Sequence, residues 1–107
     1  MKQEEKLARL FKILSVDTRI RILNLIKERA LCVNALSRAL KITPAAVSQH
    51  LRVLRDAGLV TAEKRGYFVH YKANPAKMKE INRAASQLLE IKKGKEEEDS
   101  GRLSESK

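Results

Sequence analysis

Cysteine is almost missing from this 107-residue chain: Cys32 stands alone, so no intrachain disulfide can form. Glycine is scarce as well, with four scattered residues that nowhere gather into a phosphate-cradling loop. The two histidines, His50 and His70, lie apart, and neither has the cysteine or the paired acids that nucleophilic or acid–base chemistry requires. The chain is therefore expected not to be an enzyme and to need no cofactor. No apolar run nears the length that spans a bilayer, and Met1-Lys2-Gln3-Glu4-Glu5 is unlike a secretory leader. The expected compartment is the cytoplasm, with no membrane partner.

What the chain has in excess is positive charge. Lys and Arg number 23 against 13 Asp and Glu, a formal net charge of +10. The excess is uneven, because Gly94 to Lys107 holds three basic and five acidic side chains, which leaves residues 1–93 at +12. Such a body suits a polyanionic partner, since each neutralised phosphate releases condensed counterions. Basic thermophilic or merely soluble proteins carry similar charge, so both readings stand on composition alone. A chain this short builds one core, expected within residues 1–93. Residues 94–107, with Leu103 as their single apolar side chain, are expected to form a disordered charged tail.

The order of elements comes from periodicity and caps. Leu7, Leu10, Phe11 and Leu14 give a helical stripe from about Gln3 to Leu14. A second helix is expected from an Asp17 cap to about Arg29, central because Ile20, Ile22, Leu23, Leu25 and Ile26 make so wide an apolar surface. Leu31-Cys32-Val33 is an apolar link able to pair as a brief strand, and Asn34 to Leu40 makes a short third helix. Lys41-Ile42-Thr43 then turns into the most informative segment of the chain.

Thr43 can cap, Pro44 sits where its missing N–H costs nothing, and Val47, Leu51 and Leu54 recur at spacings of four and three as a buried stripe. Ala45, Gln49 and Arg52 point the other way, with Ser48 near the border. Ala45 and Ala46 keep the leading end thin, and Gln49 carries the donor and acceptor that match adenine in a major groove. Two helices joined by about three residues, the second polar outward, form a helix-turn-helix pattern. A solvated amphipathic helix in some other small helical domain would share this pattern.

After Gly58, the runs Leu59 to Lys64 and Tyr67 to Lys72 read as a β-hairpin turning at Arg65-Gly66. Lys64 and Arg65 make its tip basic, suited to gripping a backbone or entering a minor groove; alternatively, those charges only protect an edge from aggregation. Asn74-Pro75 opens a last helix to about Lys93, whose apolar side of Met78, Ile81, Ala85, Leu88 and Leu89 needs a partner surface. The expected fold is mainly α with a small β-hairpin: a winged helix-turn-helix of about five helices plus a two-stranded wing.

Together, Leu14-Ser15-Val16-Asp17-Thr18-Arg19-Ile20-Arg21-Ile22-Leu23, Leu31-Cys32-Val33, Val47-Ser48-Gln49-His50-Leu51 through Gly58-Leu59-Val60, and Gly66-Tyr67-Phe68-Val69-His70-Tyr71 resemble the ArsR/SmtB family of winged-helix repressors, across about residues 5–92. The resemblance implies a homodimer, held by its first and last helices, that binds a palindromic duplex DNA operator and leaves it when an inducer binds. On that basis Ser48 and Gln49 are expected at base edges beside the thin Ala45 and Ala46. Lys41, Thr43, Arg52, Lys64 and Arg65 are expected mainly on phosphates, with His50 either touching phosphate or packing at the helix base. Leu7, Leu10, Phe11, Ile81, Ala85 and Leu88 are expected at the dimer interface. A winged helix used for protein or RNA contacts is the competing function.

The family's metal positions are substituted. Where an arsenic-type site has three cysteines this chain has Cys32, Asn34 and Ser37, and where a zinc-type site has its ligands it has Pro75, Lys77, Leu88 and Ile91. One thiolate cannot build a trigonal sulfur site, and no metal is expected. Cys32 is then either a small buried hydrophobe or a thiol sensor.

Overall fold

The computed structural model describes residues 2–92, and the expected tail at 94–107 lies outside them. In chain order the elements are α1 (Gln3–Leu14), α2 (Asp17–Ile26), β1 (Leu31–Cys32), α3 (Val33–Leu40), α4 (Pro44–Asp56), β2 (Val60–Arg65), β3 (Phe68–Ala73) and α5 (Pro75–Leu89). The strands form one antiparallel sheet in the order β1-β3-β2. This is the winged helix-turn-helix arrangement, with one strand more than the expected two-stranded wing. Leu31 and Cys32 pair with Tyr71 and His70, so the link after α2 becomes the third strand.

Three of the helices contribute side chains one turn apart to a single apolar core: Ile22 and Ile26 from α2, Leu36 and Leu40 from α3, and Val47, Leu51 and Leu54 from α4. Leu59, Val60 and Ala73 close it from the sheet side, and no polar or charged side chain among the described residues is buried with them. Full burial of each large aliphatic contributes about 1.5–3 kcal/mol. On α2 the inward pair is Ile22 and Ile26, while Ile20 remains 46% exposed. The helix starts and stops differently from expectation. The Val16 carbonyl accepts the first bonds, from Arg19 at 2.9 Å and Ile20 at 3.3 Å, so Val16 is the cap. Asp17 instead sits in the first turn, where its charge complements the free amides. The helix ends at Ile26 rather than about Arg29.

Tight connections aim α4. Lys41 takes a left-handed conformation, φ 59°, and its N–H reaches the Ser37 carbonyl at 2.8 Å, which ends α3 and turns the chain within three residues. At the far end Gly58 (φ 80°) closes a Schellman motif: its N–H bonds the Arg55 carbonyl at 2.9 Å, and the Leu59 N–H bonds the Leu54 carbonyl at 2.9 Å. Leu54 and Leu59, the hydrophobic pair of that motif, are both fully buried.

The hairpin turn is Gly66-Tyr67, one residue later than expected, with Arg65 paired to Phe68. Gly66 alone of the two has positive φ, 63°, and type II′ turns place glycine first, so the register follows from it. The last helix ends at Leu89 instead of about Lys93.

Asn74 joins the two halves. Its Oδ1 accepts from the Ala76 N–H at 3.1 Å to cap α5, its Nδ2 donates to the Gly58 carbonyl at 3.0 Å, and its own N–H donates to the Leu59 carbonyl at 2.9 Å. Replacing Asn74 by alanine removes both side-chain bonds and is expected to cost about 1–2 kcal/mol. Urea denaturation reads this as a lower midpoint at unchanged slope, and an unaltered midpoint would contradict the double role.

Candidate nucleic-acid interface

The outer face of α4 follows from its inner one. With Val47, Leu51 and Leu54 buried at 0%, 2% and 0%, the 100° step of the helix turns Ala45, Ser48, Gln49 and Arg52 fully outward. Ala46 is half-buried, and the Thr43 Oγ1 accepts from the Ala46 N–H at 3.1 Å, as a cap should, ahead of Pro44 in the first turn. The Thr43 hydroxyl proton remains free to be donated outward. Lys41 is exposed at the corner before the helix. The exposed side chains from Lys41 to Arg55 are polar, basic or small, with no carboxylate until Asp56.

His50 occupies the flank rather than the outer face. It is half-buried, and its Nδ1 accepts a hydrogen bond from the Arg19 Nε of α2 at 3.2 Å. Two further residues left unassigned by the sequence join the site. Ser48, Leu51, Arg52, Arg55, Asp56 and Tyr71 line a hollow of about 410 Å³ between α4 and the sheet, so two arginines and a tyrosine border the same space. Arg55 lies three positions beyond Arg52, so helical spacing could have flagged it, whereas Tyr71 enters only through the fold.

At the wing, Lys64 is exposed and Arg65 reaches Glu63 with Nη2 to Oε1 at 3.4 Å, their side chains 54% and 71% exposed. A pair so open to water holds weakly and yields readily to a stronger anion. Tyr67, 97% exposed, and Phe68, 54% exposed, stand beside them at the tip.

The expected dimer residues lie on two adjacent helices. A groove of about 400 Å³ between α1 and α5 is lined in part by Leu7, Leu10, Ile81, Ala84 and Leu88. Leu10 and Ile81 also pack against the core of their own chain, so they serve the monomer first. Ala85 is half-buried, while Phe11 and Leu88 are 40% and 60% exposed.

Cys32 is a free, half-buried thiol at the cap position of α3. It faces His70 across β1 and β3, and His70 faces Glu63 across β3 and β2. The His70 Nδ1 is buried without a partner. Among the described residues no group of three or more His, Cys, Asp or Glu side chains is placed to hold a metal ion, and no helix is long and apolar enough to cross a membrane.

Comparison with known proteins matches this geometry to regulators. The family described as "Bacterial regulatory protein, arsR family" matches residues 17–62, from α2 into β2. The chain is 43% identical over 67 residues to the arsenical resistance operon repressor of Escherichia coli (strain K12), covering 62% of this chain and 57% of that protein. It is 35% identical over 89 residues to an uncharacterized HTH-type transcriptional regulator of Methanocaldococcus jannaschii, covering 82% of this chain and 100% of the relative. Among solved structures, it is similar to a homodimeric winged helix-turn-helix DNA-binding domain from Mycobacterium bovis, with a TM-score of 0.63, 27% identity, and coverage of 80% of this chain and 83% of that one. The chain spans just over half the length of the arsenic-resistance relatives it matches. All of these are regulators by name, in keeping with the expectation that the chain is not an enzyme.

Proposed function

Because the chain belongs to the ArsR family of bacterial regulatory proteins, we propose that it is a sequence-specific DNA-binding transcriptional repressor that acts as a homodimer in the cytoplasm. The observation that carries this reading is the outer face of α4: capped, thin at its leading end, free of carboxylates until Asp56, and flanked by a cationic wing. Residues 1–93 are the DNA-binding and dimerisation unit. The dimer sets its two α4 helices in successive major grooves, about 34–36 Å apart. Ser48 and Gln49 meet base edges. Lys41, Thr43, Arg52 and Lys64 meet phosphates. Arg65 exchanges its exposed bond to Glu63 for the backbone or the minor groove. Repression then follows from occlusion of a promoter by the bound dimer.

The dimer is held through α1 and α5, a reading supported by their exposed apolar side chains and by the homodimeric Mycobacterium bovis domain. The chain works without the family's metal centres, since Asn34 and Ser37 stand where arsenic-type ligands would be, and Pro75, Lys77, Leu88 and Ile91 where zinc-type ligands would be. In this reading Cys32 is a packing residue of β1.

Mobility-shift titration against random and operator duplex tests the function. Binding is expected to weaken steeply with added salt, and no retardation even at low salt would reject the reading in favour of protein or RNA contacts. Gln49→Ala is expected to relax preference at one base pair, a loss of discrimination of about 1–3 kcal/mol there. Arg65→Ala is expected to weaken binding to every sequence and to flatten the salt slope by about one unit; an unchanged slope would contradict the wing assignment. Ala85→Glu is expected to yield monomers by light scattering, with poor binding to a full operator. An unmodified protein that is monomeric at micromolar concentration would contradict the interface.

A further inference from the structure

Among the described residues, one hydrogen bond between side chains joins two different helices: Arg19 Nε on α2 donates to His50 Nδ1 on α4, across a sequence separation of 31. The Arg19 Nη1 also donates, at 3.1 Å, to the Ile13 carbonyl in the last turn of α1. One half-buried guanidinium thus ties three helices at the root of α4.

The direction of this bond decides the state of the imidazole. A guanidinium nitrogen has protons to give and no lone pair with which to accept. Nδ1 must therefore be the acceptor, and the single ring proton sits on Nε2. No described residue bonds Nε2, and it is not among the buried polar atoms left without a partner, so it opens toward solvent. His50 directly follows Gln49 and borders the exposed face of Ala45, Gln49 and Arg52.

We propose that Arg19 is a positioning residue: it locks His50 in the tautomer that presents an Nε2–H donor at the edge of the α4 face, for a phosphate oxygen of bound DNA. The proposal rests on the DNA-binding reading above and deepens it. The donor carries no charge in this state, so the contact adds affinity and register without releasing a counterion. It differs in this from Arg52 or Arg65, whose contacts appear in the salt dependence. The lock also explains how His50 can pack at the base of the helix and touch the backbone at once, since the two jobs use different ring nitrogens.

Nitrogen-15 spectroscopy of the imidazoles in the free, full-length protein at mildly alkaline pH reads the tautomer directly. His50 is expected to show an unprotonated Nδ1 and a protonated Nε2, and R19Q is expected to lose that asymmetry. A protonated Nδ1 in the unmodified protein would overturn the lock. In DNA titrations R19Q and H50A are each expected to weaken binding about three- to tenfold, the range of one hydrogen bond, with the salt slope of the parent and no further loss in the double variant. Losses that add, or a slope that falls by a full unit in H50A, would overturn the proposal. H50A keeps the Arg19 bond to Ile13 and so guards against a variant that merely unfolds. An intact tautomer in a protein that retards no duplex would overturn the functional reading and the Nε2 contact with it, but not the lock.

Discussion

The rotation of α4 about its own axis is the constraint on which everything else depends. Val47, Leu51 and Leu54 are buried against α2, α3 and the sheet, and a helix advances about 100° per residue, so no other rotation keeps all three from water. Turning α4 by one residue would expose a leucine and press Ser48 or Arg52 into the apolar core. Burying either without a partner costs more than the exposed leucine alone. The polar face is therefore held outward by the apolar one, and its geometry is as firm as the core itself.

Both ends of the helix are held by backbone chemistry in addition to packing. The left-handed Lys41 brings α3 to a halt, the Thr43 hydroxyl and Pro44 start α4, and the Gly58 turn delivers Leu59 straight back into the core. Asn74 then reads the exit of α4 through the Gly58 carbonyl and starts α5 with the same amide group. The exit of α4 and the start of α5 are consequently joined through one side chain, whose amide oxygen and nitrogen are both hydrogen-bonded.

How much of this was legible beforehand varied with how local the cause was. Helix α4 could be read almost whole, because Thr43, Pro44, the stripe of Val47, Leu51 and Leu54, and Gly58 each act within a few residues. Helix α2 was harder: Ile20, Ile22, Leu23, Leu25 and Ile26 leave little polar contrast around the wheel, so which of them turn inward is decided by α3 and β3. The two-residue strand β1 was legible as an apolar link able to pair, but its partners, Tyr71 and His70, are set by the fold. The turn at Gly66-Tyr67 follows from a rule about where glycine stands, whereas Arg65-Gly66 fits the composition equally well. At the site, the outward set Ala45, Gln49 and Arg52 was readable from the wheel, whereas Ser48, which the wheel left near the border, is exposed. The roles of Arg19 and Tyr71 were not, since they arise only when distant segments meet.

The sheet order β1-β3-β2 gives the wing the mechanics of a cantilever. Its root is clamped twice, by Leu31 against Tyr71 and by the Asn74 N–H on the Leu59 carbonyl. Its outer end, from Lys64 to Val69, pairs only within the hairpin and is exposed at every residue. A lever clamped at its root deflects most at its free end, so in the proposed DNA complex Arg65 would adjust to a phosphate while α4 keeps its place. On the same proposal, a duplex whose groove width varies from step to step would be accommodated by deflecting the wing alone, leaving the proposed base contacts of α4 undisturbed.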